Sequence, residues 1–138
     1  MTVSSAKLSN YRQAPRKVRL IADLVRGKSA ERALALLAML PKRGSEPMAK
    51  LIKSAVNNAS AQGGSASGRK EISASDLYIS KIEVNGGIVF KRMMPRARGR
   101  GAQIKKRTSH ITLSLAKKLP KKEKAPRQAA TKAPEAAQ

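Results

Sequence analysis

Hydrophobic positions along the chain recur with two periods. From Ser45 to about Gln62, residues Met48, Leu51, Ile52, Ala55, Val56 and Ala59 fall at i, i+3, i+4, i+7, i+8 and i+11, the spacing of a helix with one buried face. Pro47 fits the first turn of that helix, where its missing N–H costs nothing. The same period at Val18, Ile21, Ala22 and Val25 predicts a helix that opens at Pro15 and closes at Gly27, with Arg16, Arg19 and Arg26 turned outward. Ala14 is a poor N-cap, so the start of this helix relies on packing. Ser29 is placed to cap a further helix with Glu31 favourably set against its dipole. Ala33, Leu34, Leu37 and Leu40 form its buried stripe, Pro41 ends it, and Lys42-Arg43-Gly44 makes a basic turn.

Elsewhere the period is two. Val3 to Asn10 alternates weakly and predicts a short strand. Leu77 to Val84 predicts another, with Tyr78, Ile82 and Val84 on one face, and Asn85-Gly86-Gly87 breaks it. Ile88 to Phe90 resumes as a strand, and Ile111, Leu113 and Leu115 alternate with His110, Thr112 and Ser114 as a half-buried strand does. A Pro- and Gly-containing segment joins the last two, which predicts a β-hairpin over about 88–115. With arms of about ten residues at about 3.3 Å each, the finger is on the order of 30 Å long. The expected fold is α+β: an N-terminal strand, three helices packed on a small antiparallel sheet, and a long protruding β-hairpin, all within residues 1–119. Gly63 to Gly68 predicts a flexible connection. The Lys/Ala/Pro-rich tail, 120–138, has no apolar periodicity with which to offset its ordering entropy, and is expected to be disordered when free.

Charge changes the picture of the hairpin. Lys91, Arg92, Arg96, Arg98, Arg100, Lys105, Lys106 and Arg107 follow one another with no Asp or Glu between them. Burying unpaired cations at that density is far too costly, so the segment meets water or a polyanion. The whole chain carries 30 Lys and Arg against 8 Asp and Glu, a net charge of +22, which calls for an anionic partner such as nucleic acid. A membrane fits less well: the apolar run from Ala33 to Leu40 is far shorter than the ~20 residues of a span, and there is no Trp for an interfacial belt. Tyr11, Tyr78 and Phe90 are the only aromatics, which argues for phosphate and shape recognition over the stacking of splayed bases. From charge, the candidate contacts are Arg12, Arg16, Lys17, Arg19 and Lys28 near the first helix, together with the hairpin cations. A solvated face is the competing account of each helix residue. In an extended strand Arg96, Arg98 and Arg100 would share one face, with Met93 or Ala97 turned elsewhere.

Catalytic chemistry is not indicated. The chain has no cysteine and one histidine, His110; with no carboxylate near it in sequence to orient it, it is expected to hydrogen-bond backbone or phosphate. The carboxylates are scattered without metal-ligand spacing, and Gly99-Arg100-Gly101 has no following helix that would make it a phosphate-cradling loop. No cofactor, no metal and no enzymatic activity are expected. Two binding classes remain, a structural RNA-binding protein and an architectural DNA-binding protein whose basic hairpin enters a groove. The second ordinarily needs a dimer interface, and no extra apolar face supplies one.

Lys91, then Arg96-Ala97-Arg98-Gly99-Arg100, then His110-Ile111 with Leu113 and Leu115 alternating, within the flanks MPRARGR and KRTSHIT, resembles the signature of the ribosomal protein L-twenty-two family. The resemblance extends upstream through Lys17 to Lys28 and ends near Leu115. It also covers most of the Arg-bearing, acid-poor N-terminus, which is therefore expected to be mature protein and not a transit peptide. What the resemblance implies is the same order of strand, three helices and hairpin. It further implies a monomer within the large ribosomal subunit of the cytoplasm, or of an organelle, that binds 23S-type ribosomal RNA, assists assembly and neighbours other large-subunit proteins. His110 joins the RNA-contacting set. Met93, Met94, Pro95, Ala97, Gly99 and Gly101 would form a tip facing the nascent polypeptide in the exit tunnel. Gly101-Ala102-Gln103 stands where the family more often has an Ala and an acidic residue. The resemblance favours the RNA class over the DNA one.

Overall fold

The computed structural model describes residues 2–64 and 73–117. Most of the predicted Gly/Ser connection and the whole 120–138 tail lie outside them. Strand β1 (Thr2–Tyr11) is followed by helices α1 (Pro15–Val25), α2 (Ala30–Met39) and α3 (Ser45–Gly64), then by strands β2 (Leu77–Pro95) and β3 (Gly101–Lys117). The three strands form one antiparallel sheet in the order β1-β3-β2. The α+β prediction holds, with longer hairpin arms than the sequence suggested.

Each helix follows from its apolar stripe. Val18, Ile21, Ala22 and Val25 of α1 are buried, Pro15 sits in its first turn, and Gly27 closes it with φ +74. Ala30, Ala33 and Leu37 of α2 are buried, whereas Leu34 and Leu40 only border the core. Ser29 holds the N-cap position of α2, but its hydroxyl makes no capping bond. Its backbone instead bridges to Tyr78 of β2, so the sheet fixes the helix start. Met48, Leu51, Ile52, Ala55 and Ala59 of α3 are buried, and Val56 lies at the core's border. They meet Leu77, Ile79, Ile111, Leu113 and Leu115 from the sheet, each fully buried large side chain contributing roughly 1.5–3 kcal/mol.

Two β-bulges correct the strand prediction. Between Ile79 and Lys81 the register shifts, because Ser80 is an extra residue opposite Leu115 and Ser114. The inward phase therefore moves from Leu77 and Ile79 to Ile82 and Val84, leaving Tyr78 half-buried and off the face of Ile82. Asn85-Gly86-Gly87 does not end the strand. Asn85 and Gly86 pair with His110 and Ser109, and pairing resumes at Val89↔Arg107, so Gly87 and Ile88 oppose Thr108 alone. A Cβ on Gly87 would lie 2.5 Å from Thr108 Oγ1 and 2.9 Å from His110 Nε2; only glycine fits this close approach.

Both sheet edges near the core are covered. On the β1 side, Ser4 Oγ donates to Ala55 O at 2.8 Å and Asn58 Nδ2 to Ser5 O at 3.1 Å. On the β2 side, Arg19 donates through Nε and Nη2 to Val84 O, and Arg26 through Nη2 to Ile82 O. Such side-chain cover blunts edges that would otherwise recruit another strand. Arg19 and Arg26 do point away from the core, as the period predicts, but both guanidinium groups are tied to backbone.

Candidate nucleic-acid interface

Beyond Gly86↔Ser109, β3 has lost its β1 partner, and β2 and β3 run on as a two-stranded finger to Pro95↔Gly101. From Gly86 to Pro95 at about 3.3 Å per residue this is on the order of 30 Å. The ladder places Lys91 opposite Lys105, a like-charge cross-strand pair that opposes pairing. Lys91 through Arg100 are all exposed. At the apex Ala97–Gly99 forms a single tight turn, with Arg98 at φ 59 and Gly99 at φ 68, closed by Arg96 N–H donating to Arg100 O at 2.7 Å. The expected extended row of Arg96, Arg98 and Arg100 on one face is therefore incorrect. The chain reverses within the triplet, and the left-handed residue at its centre breaks the period-two geometry. Of the predicted tip residues, Met93, Met94, Pro95, Ala97, Gly99 and Gly101 are all exposed around this turn.

At the root of the finger a concave groove of about 720 Å³ is lined by Arg12, Gln13, Ala14, Lys17, Arg43, Phe90, Arg92, Lys105, Lys106, Arg107 and Thr108. Three local features assemble it. Asn10 takes φ 55 and Gln13 N–H donates to Tyr11 O at 2.8 Å, so the chain turns sharply from β1 into α1 and delivers Arg12 beside the hairpin. The Lys42–Gly44 turn packs on α1, where a Cβ on Gly44 would sit 2.6 Å from Ile21 Cδ1. Tyr11 Oη donates to Arg43 O at 3.2 Å and holds that turn in place. Finally Phe90 pairs directly with Lys106, and Arg92, two residues on, shares their face. Arg12 Cζ stands 5.8 Å from the Phe90 ring centroid, within cation–π reach.

Among the described residues no ion pair involves a cation of the groove; the pairs are Arg26–Asp23, Lys50–Glu46 and Lys81–Glu83. Glu46 Oε1 accepts from Lys50 Nζ at 2.7 Å, and this hydrogen bond, then the lysine's charge, holds its carboxyl below the ordinary range. No described group of three or more His, Cys, Asp or Glu is placed to hold a metal, and no described helix is long and apolar enough to cross a membrane.

The structure sorts the predicted contacts into sets. Arg12, Lys17, Arg92, Lys105, Lys106 and Arg107 converge on the groove. Lys91, Arg96, Arg98 and Arg100 lie along the finger and apex. Arg16 is exposed on α1 outside the groove's lining. Arg19 is spent on the Val84 carbonyl, and half-buried Lys28 lies in the turn where its carbonyl accepts from Ile79 N–H at 2.9 Å. His110 Nδ1 accepts the Asn10 backbone N–H at 3.1 Å, the backbone partner its position suggested. Arg43 and Phe90 were not among the sequence candidates. Arg43 lies in a turn whose docking is tertiary, and the basic tripeptide itself was its only signal.

Fold and charge together define a class: a small α+β protein that presents cations along a groove and a projecting arm. Comparison with known proteins narrows it. The profile of the family Ribosomal protein L22p/L17e matches residues 6–116. The chain is 46% identical over 115 residues to the large ribosomal subunit protein uL22 of Geobacter sulfurreducens, covering 83% of this chain and 97% of that one. It is 47% identical over 112 residues to the protein of that name from Pelobacter propionicus, covering 81% and 95%. A third, from Herpetosiphon aurantiacus, is 47% identical over 110 residues, covering 80% and 91%. The chain belongs to the ribosomal protein L22p/L17e family. It is a structural ribosomal protein and not an enzyme.

Proposed function

We propose that the chain is a constituent of the large ribosomal subunit in the cytoplasm and binds the 23S-type RNA of that subunit. Its groove and finger supply the contacts, assist subunit assembly, and carry the tip toward the nascent-peptide exit tunnel. The observation that carries this reading is the separation of charge from core. Among the described residues every large buried side chain lies in the helices and the sheet's base, whereas residues 88–107 hold Lys and Arg without a single acid. RNA phosphates supply the counter-charge that such an arm lacks, and Arg92, Arg96, Arg98 and Arg100 can meet them bidentately. Arg12, Lys17, Arg43, Lys105, Lys106 and Arg107 contact phosphate at the root. Arg16 and Lys28 remain candidates for outer contacts, Arg19 and His110 serve chiefly to brace the sheet, and the exposed Met93, Met94 and Ala97 face the nascent chain. Other large-subunit proteins are its neighbours, and it acts as a monomer.

The test is salt dependence. With about 6–10 phosphates engaged, raising salt from ~50 to ~200 mM weakens RNA binding by ~10³–10⁵. A flat response, or equal preference for duplex DNA, would count against the reading. Retention in purified large subunits after a high-salt wash checks residence in the subunit. Deleting Met93 to Ala102 leaves folding and incorporation in place but changes nascent-chain stalling and sensitivity to tunnel-blocking antibiotics; unchanged stalling and sensitivity would remove the tunnel role. Ala116 is the last buried residue among those described, and truncation after Leu119 should preserve the cooperative thermal transition.

A further inference from the structure

We propose that the groove at the finger's root seats a single unstacked nucleotide of the bound RNA, its base lying on Phe90 and its phosphate among the surrounding cations. The proposal rests on the RNA-binding reading above and adds a specific occupant to it. Phe90 is the one aromatic that lines the groove, and it remains 40% exposed. A large apolar ring left in water beside Arg12, Arg92 and Lys106 needs a reason. An apolar protein partner is a poor one, because docking it there would strip water from those cations without pairing them. A nucleotide meets both requirements at once, since its base offers a π-face to the ring and its phosphate offers charge to the cations.

The geometry favours an unpaired base. In a duplex the faces of each base are taken by stacked neighbours, so A-form RNA shows a protein only phosphates, 2′-hydroxyls and base edges. Only a base looped out of the stack can lie flat on Phe90. Arg12 Cζ now stands 5.8 Å from the ring centroid. Two van der Waals contacts of about 3.5 Å each span about 7 Å, so a modest outward swing of this long exposed side chain would admit a base between guanidinium and ring. Arginine planes and aromatic rings both stack on bases, and Arg12 reaches the site from a different element from Phe90, which makes a clamp. The groove's 720 Å³ falls in the range of small-molecule sites, roughly 300–1,000 Å³. The scarcity of aromatics argues against a protein that reads many splayed bases; it leaves room for one.

The experiment measures binding of the full chain to a short RNA stem carrying one unpaired purine and to the same stem fully paired. The unmodified protein should prefer the bulged stem. Phe90→Leu should weaken bulged-stem binding about thirtyfold, the middle of the range for one base–aromatic stack, while leaving paired-stem binding and the salt slope unchanged. Phe90→Trp should restore the preference. Equal affinity of the unmodified protein for the two stems, or a Phe90→Leu effect that is absent or the same on both, would overturn the proposal. Lys105→Gln, Lys106→Gln and Arg107→Gln test the underlying reading separately. Each should lower the salt slope by roughly one on either stem, and a slope that ignores all three would sink phosphate binding at the groove whatever Phe90 does. Because Phe90 lies in the finger, away from the core, its variants should keep the thermal transition of the unmodified protein.

Discussion

The same two strands build two different objects. From Leu77 to Gly86, β2 pairs with β3 while β1 pairs with β3 on its other side, and Ile79, Ile82, Val84, Ile111, Leu113 and Leu115 are buried under the helices. From Val89 to Pro95 the same ladder continues with no third strand, and no residue from Val89 to Arg107 is fully buried. Backbone pairing is alike in both halves, so it cannot explain their difference. Side chains do. The base is held by apolar burial, whereas the finger has the ladder alone, set against mutually repelling cations, and a two-stranded ribbon is marginal in water. One half is thus stable by itself, and the other lacks an interaction that a polyanion would supply.

The largest expected effect tests that contrast directly. Leu113→Ala, at a fully buried position, should cost about 2–5 kcal/mol in denaturant unfolding. Met93→Ala, at a position 72% exposed on the finger, should stay within about 0.5 kcal/mol. Comparable losses would mean that the finger shares the core's cooperativity. The boundary comes next. Gly87→Ala forces a Cβ against Thr108 Oγ1, which donates to Ile88 O at 2.7 Å, and against His110. It should cost about 1–3 kcal/mol. Gly86→Ala meets nothing within 4 Å and should change stability by about 0.5 kcal/mol or less. Equal effects at the two glycines would show that the bulge can relax.

A smaller effect is expected at the apex. Arg98 holds φ 59, a left-handed conformation that costs a non-glycine residue about 1–2 kcal/mol. Arg98→Gly relieves part of this, offset by glycine's entropy. Amide protection in the outer finger should rise by roughly fivefold, equivalent to about 1 kcal/mol. The global unfolding midpoint should not move, because the finger's order does not report on the core. A shifted midpoint would join the two halves into one unit.

This division was largely legible in the sequence, and the misses have physical causes. Helical stripes such as Met48 to Ala59 are read directly because their burial follows from a local period. Bulges are not local: Ser80 becomes an extra residue only against Leu115 and Ser114, and that pairing puts Tyr78 out of phase with Ile82. Asn85-Gly86-Gly87 looked like a break because glycine signals freedom, when here it signals close approach to Thr108 and His110. The finger's cations were evident from charge, but convergence was not. Arg12, Arg43 and Phe90 come from three separate segments and meet only after the Lys42–Gly44 turn docks on α1. Arg19 shows the converse, a surface charge whose guanidinium proves to be committed to Val84 O.

The smallest effect concerns acid, and it separates the halves by chemistry. Residues 88–107 contain no Asp, Glu or His, so the finger has no carboxylate or imidazole through which acid could act. In the base, Glu46 is held below its ordinary pKa by the hydrogen bond and charge of Lys50. The folded state thus binds fewer protons at this site than the unfolded chain does. Its contribution is complete above the ordinary carboxylate range and is lost as pH falls through the lowered value. Both side chains of the pair are largely exposed, so salt screens the effect. Glu46→Gln should remove a slight part of the acid-induced fall in melting temperature at low salt and none of it at high salt. The salt slope of RNA binding should be the same at about pH 5 and about pH 8, because the groove is lined by Lys and Arg with no carboxylate or imidazole among them. A slope that differs between the two would mean that a group outside the groove and finger had joined the phosphate contacts, and the line between brace and interface would have to move to include it.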